Sequence, residues 1–194
     1  MKISEVRQLY GAQIKSYHEQ QLLLAKQKKE LEHKMNILPN GKDIYANEAA
    51  TLELTIEAVN EKQSEYREYM EKLTEQWASA ANMVSAQQQG EAMKEYAIDM
   101  GKIMEVARRL MKGGIVPAED EKKLMEFSME MYQAAKNIGA MAKKKEEYDS
   151  LWEEKEEKEL EDPMEVADNT EAFAEGPEIV DVVDTMQAAT QIEE

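Results

Sequence analysis

The residue types that most often carry catalysis or hold metals are scarce in this sequence. Its 194 residues include no cysteine and only two histidines, His18 and His33. Disulfides, thiolate metal sites and cysteine nucleophiles are therefore excluded. A zinc site and a nucleophile–histidine pair both lack parts. We expect a chain that is not an enzyme, with no cofactor and no metal site.

Two short patterns come near known chemistry and fall short of it. Glu30 and His33 have the Glu-x-x-His spacing of di-iron bundles, which need a second such pair and two further inward-facing glutamates. His18 has no glutamate three residues before it. Gly41 and Lys42 lack the upstream glycine and the following Ser or Thr of a phosphate-binding loop. We interpret both patterns as ordinary helix surface and turn.

Apolar residues are concentrated in one part of the acidic C-terminal region. Within residues 177–190, four of them would share one face of a short helix, although the valines also suit a strand added to a sheet edge. We predict that these four bind a protein partner: Ile179, Val182, Val183 and Met186. The alternative is an inert terminus with chance hydrophobic residues.

Charge is distributed unevenly along the chain. The net charge is -17, and residues 153–194 hold sixteen of the 41 acidic residues but only two of the 24 basic ones. Such a composition buries too little apolar surface to offset its ordering entropy, so we expect residues 157–194 to form a mostly disordered acidic tail. The tail would repel phosphates, and we expect no nucleic-acid binding. The small basic clusters beside glutamates are interpreted as solvated helix faces: Lys26, Lys28, Lys29, Lys143, Lys144 and Lys145.

Turn-forming clusters divide the rest of the chain into three segments. Pro39 and Gly41 mark the first break, and Gly113, Gly114 and Pro117 mark the second. Between the breaks, apolar residues recur at alternating steps of four and three, which predicts helices over 3–37, 46–112 and 118–156. The apolar stripe changes phase at 87–90, but we expect the second helix to continue, since a glycine costs only about 1 kcal/mol there.

Short turns join antiparallel neighbours, which fixes an expected topology. The predicted fold is all-α: an elongated antiparallel coiled-coil-like bundle of three long helices, 1–156, with a disordered acidic tail. A compact three-helix bundle is the alternative. Residues should pair when their numbers sum to about 82 around the first turn and about 230 around the second. Tyr10 then lies beside Leu73, and Trp152 beside Trp77. The 1–156 body should keep its stability without the tail.

These features favour a protein-interaction role. The N-terminus lacks an apolar signal region, and no aliphatic run approaches the ~20 residues of a membrane span, so we expect a cytoplasmic protein without membrane contact. A narrow bundle leaves apolar surface uncovered, which predicts protein partners and self-association. We expect a non-enzymatic interaction or scaffold protein, with a chaperone or assembly factor as one version. Long-helix secretion and flagellar chaperones and viral scaffolding proteins share this periodicity, an analogy at fold level only. The alternatives are an acidic nucleic-acid mimic that binds a basic groove, and a non-catalytic subunit of an enzyme complex.

Overall fold

The computed structural model describes residues 1–142, 146–152, 159–172 and 175–191. The all-α class is confirmed: the described residues hold helices and two isolated β-bridges. The helices are α1 (Ile3–Ile37), α2 (Gly41–Ile44), α3 (Ala46–Met111), α4 (Ala118–Phe127), α5 (Met129–Gly139), α6 (Pro163–Asn169) and α7 (Val182–Thr190). The chain divides into two compact units. The first unit comprises Met1–Val84 and Glu161–Glu194, and the second comprises Ser85–Leu160.

The first break is a tight turn that requires glycine. Asn40 adopts a left-handed conformation with φ 59. A Cβ on Gly41 would lie 2.6 Å from the Met35 carbonyl oxygen, closer than side chains approach backbone. The short helix α2 follows, and α3 then runs through residues 87–90 without interruption.

The predicted third helix over 118–156 is wrong. Helix α4 ends at Phe127 because Ser128 adopts an extended conformation, and its side chain caps α5 by accepting a hydrogen bond from the Met131 amide. Helix α5 ends at Gly139, where an added Cβ would overlap the carbonyl oxygen of Leu110. Glycine therefore lets α5 end close against α3, and the chain then turns back. The basic cluster at 143–145 lies outside the described residues.

The C-terminal region also differs from the expected disordered tail. Its described residues contain α6 and α7, and each helix begins after an aspartate. Asp162 accepts a hydrogen bond from the Met164 amide, and Asp181 accepts one from the Val183 amide. Such caps satisfy free amide groups of a first helical turn, so even short helices in an acidic sequence gain stability.

In the first unit, α1 packs antiparallel against the first part of α3. Lys28 pairs with Glu53 at 3.1 Å, and the Gln21 side chain donates to Asn60 at 2.7 Å, as the pairing rule for the first turn predicts. The core includes a residue of α7 as well. Its buried members are Val6, Tyr10, Tyr17, Leu24, Val59, Tyr66, Tyr69, Leu73 and Val182.

In the second unit, α4 and α5 pack on the last part of α3. The buried core comprises Val106, Ala107, Leu110, Val116, Leu124 and Ala135. Asp120 is fully buried and accepts hydrogen bonds from the Ser150 hydroxyl at 2.7 Å and the Leu151 amide at 3.0 Å. These bonds hold residues 146–152 against α4.

The pairing rule for the second turn, which set Trp152 beside Trp77, fails because the chain reverses after α5. The Trp152 indole donates to Asp99 at 3.0 Å within the second unit. The Trp77 indole donates to Asp168 at 2.7 Å within the first unit. The pairing rule for the second turn assumed one straight helix after Pro117, and Ser128 and Gly139 end that helix early.

Candidate functional site

Four tyrosines line a groove between α1 and the first part of α3. Tyr10 and Tyr17 stand seven residues apart on α1, and Tyr66 and Tyr69 belong to α3; all four side chains are buried. Ring centroids lie 5.6 Å apart for Tyr10 and Tyr66 and 4.8 Å for Tyr10 and Tyr69. Tyr17 meets Tyr66 edge-on at 5.4 Å. We call this site the tyrosine groove. Its rings hold one another in place, which fixes the direction of each hydroxyl.

The hydroxyls of the tyrosine groove bind the backbone of residues 177–180. Tyr10 donates to the carbonyl of Pro177 at 2.7 Å. Tyr66 donates to the carbonyl of Glu178 at 3.1 Å and accepts from the Val180 amide at 2.9 Å. Tyr17 donates to the carbonyl of Val180 at 3.0 Å. Because every acceptor and the amide donor are backbone groups, these four bonds do not depend on the side chains of residues 177–180.

Helix α7 continues along the same groove. Val182 is 7% exposed and Met186 packs against the core, while Ala189 is 5% exposed. The Thr185 hydroxyl lies 2.6 Å from that of Tyr17. The structure therefore brings two of the four predicted partner-binding residues, Val182 and Met186, into the groove of the chain itself.

The other two predicted residues face away from the groove. Ile179 is 38% exposed and Val183 is 57% exposed. Neither side chain belongs to the buried core. The one-face helix predicted from sequence does not form, since Ile179 precedes α7 and Val183 lies one position beyond the buried Val182.

A second set of contacts holds the segment before the groove. The Ile3 amide donates to the carbonyl of Thr170 at 2.9 Å, and the Ala172 amide donates to that of Met1 at 3.1 Å. The hydrogen bond from the Trp77 indole to Asp168 also joins α3 to α6. The chain therefore reaches the tyrosine groove from a fixed point beside the start of α1.

The entry to the groove is narrow at Gly176. A Cβ added there would overlap the hydroxyl of Tyr10 and lie 2.6 Å from a ring carbon of Tyr69. Both rings are packed against neighbours, so neither can move aside cheaply. A residue with a side chain is therefore disfavoured at this position.

Burial keeps the tyrosines in their hydrogen-bonding form. Desolvation raises the pKa of Tyr17 to about 12, and it also raises the pKa of Tyr10 and of Tyr69. A phenol with a raised pKa stays protonated at neutral pH, so Tyr10 and Tyr17 remain donors to the bound backbone.

The groove continues beyond Met186 as an open depression of about 570 Å³. Its lining includes Leu24 and Leu31 from α1, which are almost fully buried, and Leu52 from α3. The polar lining residues include Gln27, Glu30, Lys34, Glu48 and Thr51. The side chain of Met186 from α7 also lines this depression.

The Glu30 and His33 pattern considered for metal binding lies on the surface. Glu30 and His33 are exposed, and Glu30 pairs with Lys26 at 3.9 Å. Among the described residues, no group of three or more His, Asp or Glu side chains is arranged to hold a metal ion. None of the helices that the structure describes has the length and apolarity needed to cross a bilayer.

The second unit has its own shallow depression of about 600 Å³. It is lined by Ile103, Phe127 and Trp152, with charged residues around them. Lys123 lies 4.2 Å from the centre of the Trp152 ring, a cation–π contact. Its lining residues include no Ser, Thr, His or Cys.

Sequence reasoning missed the roles of the tyrosine hydroxyls and of Gly176. Tyr10, Tyr17 and Tyr66 all fall on the predicted apolar stripes, and a buried hydroxyl needs a hydrogen-bond partner. That requirement predicts a polar group bound between α1 and α3. Nothing in the spacing pointed to the C-terminal segment as that occupant.

No family model, curated protein or solved structure matches this chain.

Proposed function

We propose that the chain is a non-enzymatic protein-interaction protein, and that its tyrosine groove binds an extended segment and short helix of a partner protein. The chain's own residues 175–191 occupy the site when the partner is absent. The observation that carries the proposal is the set of bonds from Tyr10, Tyr17 and Tyr66 to the backbone of residues 177–180. The coiled-coil-like packing of α1 on α3 supplies a rigid frame for this site.

Backbone recognition supports a binding role over a purely structural one. A core that only needed filling would use apolar side chains, whereas this groove aims polar hydroxyls at an extended chain. The docked segment also leaves Ile179 and Val183 in solvent. Few side chains attach the segment to the groove, so its docking is local and reversible. The tether holds the segment near the groove at an effective concentration near millimolar, so few contacts are enough. A chaperone or assembly factor that shields a partner's segment is one version of this function.

The test uses the full-length chain with its own segment released. Val182→Asp places a charge in the buried contact and should detach residues 175–191, while α1 and α3 stay helical. Val183→Asp is the matched control, since the neighbouring side chain is 57% exposed. A fluorescently labelled peptide of residues 175–191 is titrated with each protein, and fluorescence anisotropy reports binding.

We expect the peptide to bind the Val182→Asp protein at least about tenfold more tightly than the Val183→Asp protein, because the tethered segment no longer competes. Adding Tyr66→Phe to Val182→Asp should weaken that binding. Equal affinity for the two variants, or no binding to either, would contradict the proposal.

We also propose self-association, through the face of α3 in the second unit that carries exposed Met93, Tyr96 and Met104. A sedimentation experiment at micromolar concentration should give a mass above 22.2 kDa. Met93→Lys with Met104→Lys should reduce the measured mass to that of one chain.

The nucleic-acid mimic, the enzyme subunit and the cytoplasmic location stay predictions from sequence.

A further inference from the structure

We infer that the exposed face of α3 in the second unit is covered by the same face of a second copy of this chain, with the two helices antiparallel. This inference rests on the proposed self-association and adds the partner surface, the direction and the register. Residues of the two copies lie opposite each other when their numbers sum to about 197, so Met93 of one copy packs beside Met104 of the other.

The exposed face of α3 carries an apolar stripe at coiled-coil spacing. Met93, Ala97, Met100 and Met104 recur at alternating steps of four and three. Met93 is 77% exposed, Met104 is 46% exposed, and every residue of 89–98 is exposed. Apolar residues at this spacing form a continuous seam, which a second helix with the same spacing covers along its length. We call these four residues the methionine stripe.

The methionine stripe is separate from the core of the second unit. Val106 follows Met104 by two positions, which is about 200° around the helix, and it is fully buried in that core. On the side of the core, Glu95 and Trp152 line the same depression, and the Lys102 ammonium lies 5.5 Å from the centre of the Trp152 ring. Helix α3 therefore turns one side to its own unit and leaves the methionine stripe for a partner.

Side-chain sizes favour the antiparallel direction. Two parallel copies in register would set Ala97 against Ala97, which leaves a gap between the methionine layers. In the antiparallel pair, the large Met100 lies beside the small Ala97, and Met111, which is 37% exposed, lies beside Ala86. Alternation of large and small residues across a seam fills it without voids. The flexible thioethers of methionine also adapt to such a seam.

Charges at the edge of the seam select the register. Lys94 is exposed at this edge. A sum of about 190 would set Lys94 of each copy against the other, and a sum of about 204 would set it against Arg108, so both shifted registers oppose like charges. A sum of about 197 sets Lys94 against Gly101. It also brings the Glu105 carboxylate of the second copy to the same edge, where Glu105 pairs with Arg108 of its own chain.

Cysteine crosslinking tests the direction and the register, because the chain has no native cysteine. Met93→Cys and Met104→Cys proteins are mixed at micromolar concentration and oxidised gently. The mixture should form a mixed disulfide, since the two positions lie opposite each other, whereas each variant alone should stay largely uncrosslinked. Glu95→Cys mixed with Lys102→Cys is the control. These two positions give the same sum but face Trp152 in their own unit, so we expect no disulfide between them.

Substitutions at Gly101 test the charges at the edge of the seam. A Cβ added at Gly101 meets no atom within 4 Å, so a side chain fits there. Gly101→Glu places a carboxylate opposite Lys94 twice in a two-fold pair. It should lower the dissociation constant of the dimer about threefold relative to Gly101→Gln, the neutral control of the same shape, and Gly101→Lys should raise it about threefold. Sedimentation over a range of concentrations measures each constant.

The outcomes separate this inference from the proposed self-association. A single-chain mass at every concentration, with no mixed disulfide, would refute both. A dimer in which Met93→Cys crosslinks with itself would have parallel helices, which would overturn this inference while self-association stands. Equal dissociation constants for Gly101→Glu and Gly101→Lys would show that the register is wrong.

Discussion

Tyr66 both donates and accepts a hydrogen bond in the groove, which makes it the most informative residue to change. Its hydroxyl joins the Glu178 carbonyl and the Val180 amide. A phenylalanine keeps the packed ring and removes both bonds. The role of this single oxygen in holding residues 177–180 can therefore be measured apart from the core.

Tyr66→Phe should weaken docking of residues 175–191 by about 1–3 kcal/mol, because the buried amide and carbonyl lose their partner. Amide hydrogen exchange of Val180 should then accelerate by roughly tenfold or more. Tyr96→Phe is the control, since Tyr96 is 65% exposed in the second unit. Unchanged exchange at Val180 in Tyr66→Phe would show that the hydroxyl does not hold the segment.

Docking should also depend on pH in the alkaline range. The pKa of Tyr17 is raised from 10.0 to about 12, chiefly by burial. The protonated phenol is favoured in the folded state, so its contribution is complete below pH 10 and is lost as the pH rises from 10 towards 12. The difference in ultraviolet titration between the chain and its Tyr17→Phe variant should have a midpoint near 12. A midpoint near 10 would contradict burial of this hydroxyl under the docked segment.

The sequence singled out the apolar residues of 177–190 but did not predict which of their side chains are buried. Val182 and Val183 are adjacent and chemically identical, and periodicity alone placed both on one apolar surface. The choice between them is made by the Asp181 cap and by the backbone bonds that fix residues 177–180. Those are tertiary constraints, which a pattern of residue types does not contain.

At the scale of elements, the long stripes predicted α1 and α3 closely, and the same method failed after Pro117. The stripe continues in register through Phe127, Met131 and Ile138, although the helix does not. Ser128 is a strong capping residue and Gly139 permits close contact with Leu110, and each effect outweighs the periodic signal. Single residues that end helices carry more information there than the stripe.

Ser128→Ala should destabilise the second unit by about 1 kcal/mol, because the Met131 amide loses its cap. Without that cap the chain is less strongly bent at the α4–α5 junction. Ser16→Ala is the control, since Ser16 is exposed within α1 and alanine favours helix. Urea unfolding of each variant provides the comparison. A Ser128→Ala protein as stable as the parent chain would mean that packing alone fixes the junction.

At the scale of the whole chain, the C-terminal region belongs to the first unit, whereas the sequence predicted a body that folds without it. Ala167, Val182 and Ala189 are all buried there. Composition predicted disorder because it measures what a segment can bury by itself. It does not measure what the segment can bury against a groove formed elsewhere in the chain.

A chain that ends at residue 160 should lose roughly 3 kcal/mol or more of stability in the first unit, since several apolar side chains lose their buried contacts. Hydrogen exchange should accelerate in α1 and the first part of α3. Protection of α4 and α5 in the second unit should stay the same and serves as the internal control. Unchanged protection of α1 would restore the prediction made from sequence.

We propose that the tyrosine groove is a peptide-binding site held by the chain's own residues 175–191. Displacement of that segment in the unmutated protein is the decisive measurement. Hydrogen exchange of the Val180 amide is followed while unlabelled peptide of residues 175–191 is added to millimolar concentration, comparable to the effective concentration of the tether. We expect protection of the chain's own Val180 to fall as the peptide saturates the groove, while α4 and α5 stay protected. Full protection of Val180 at saturating peptide would contradict it.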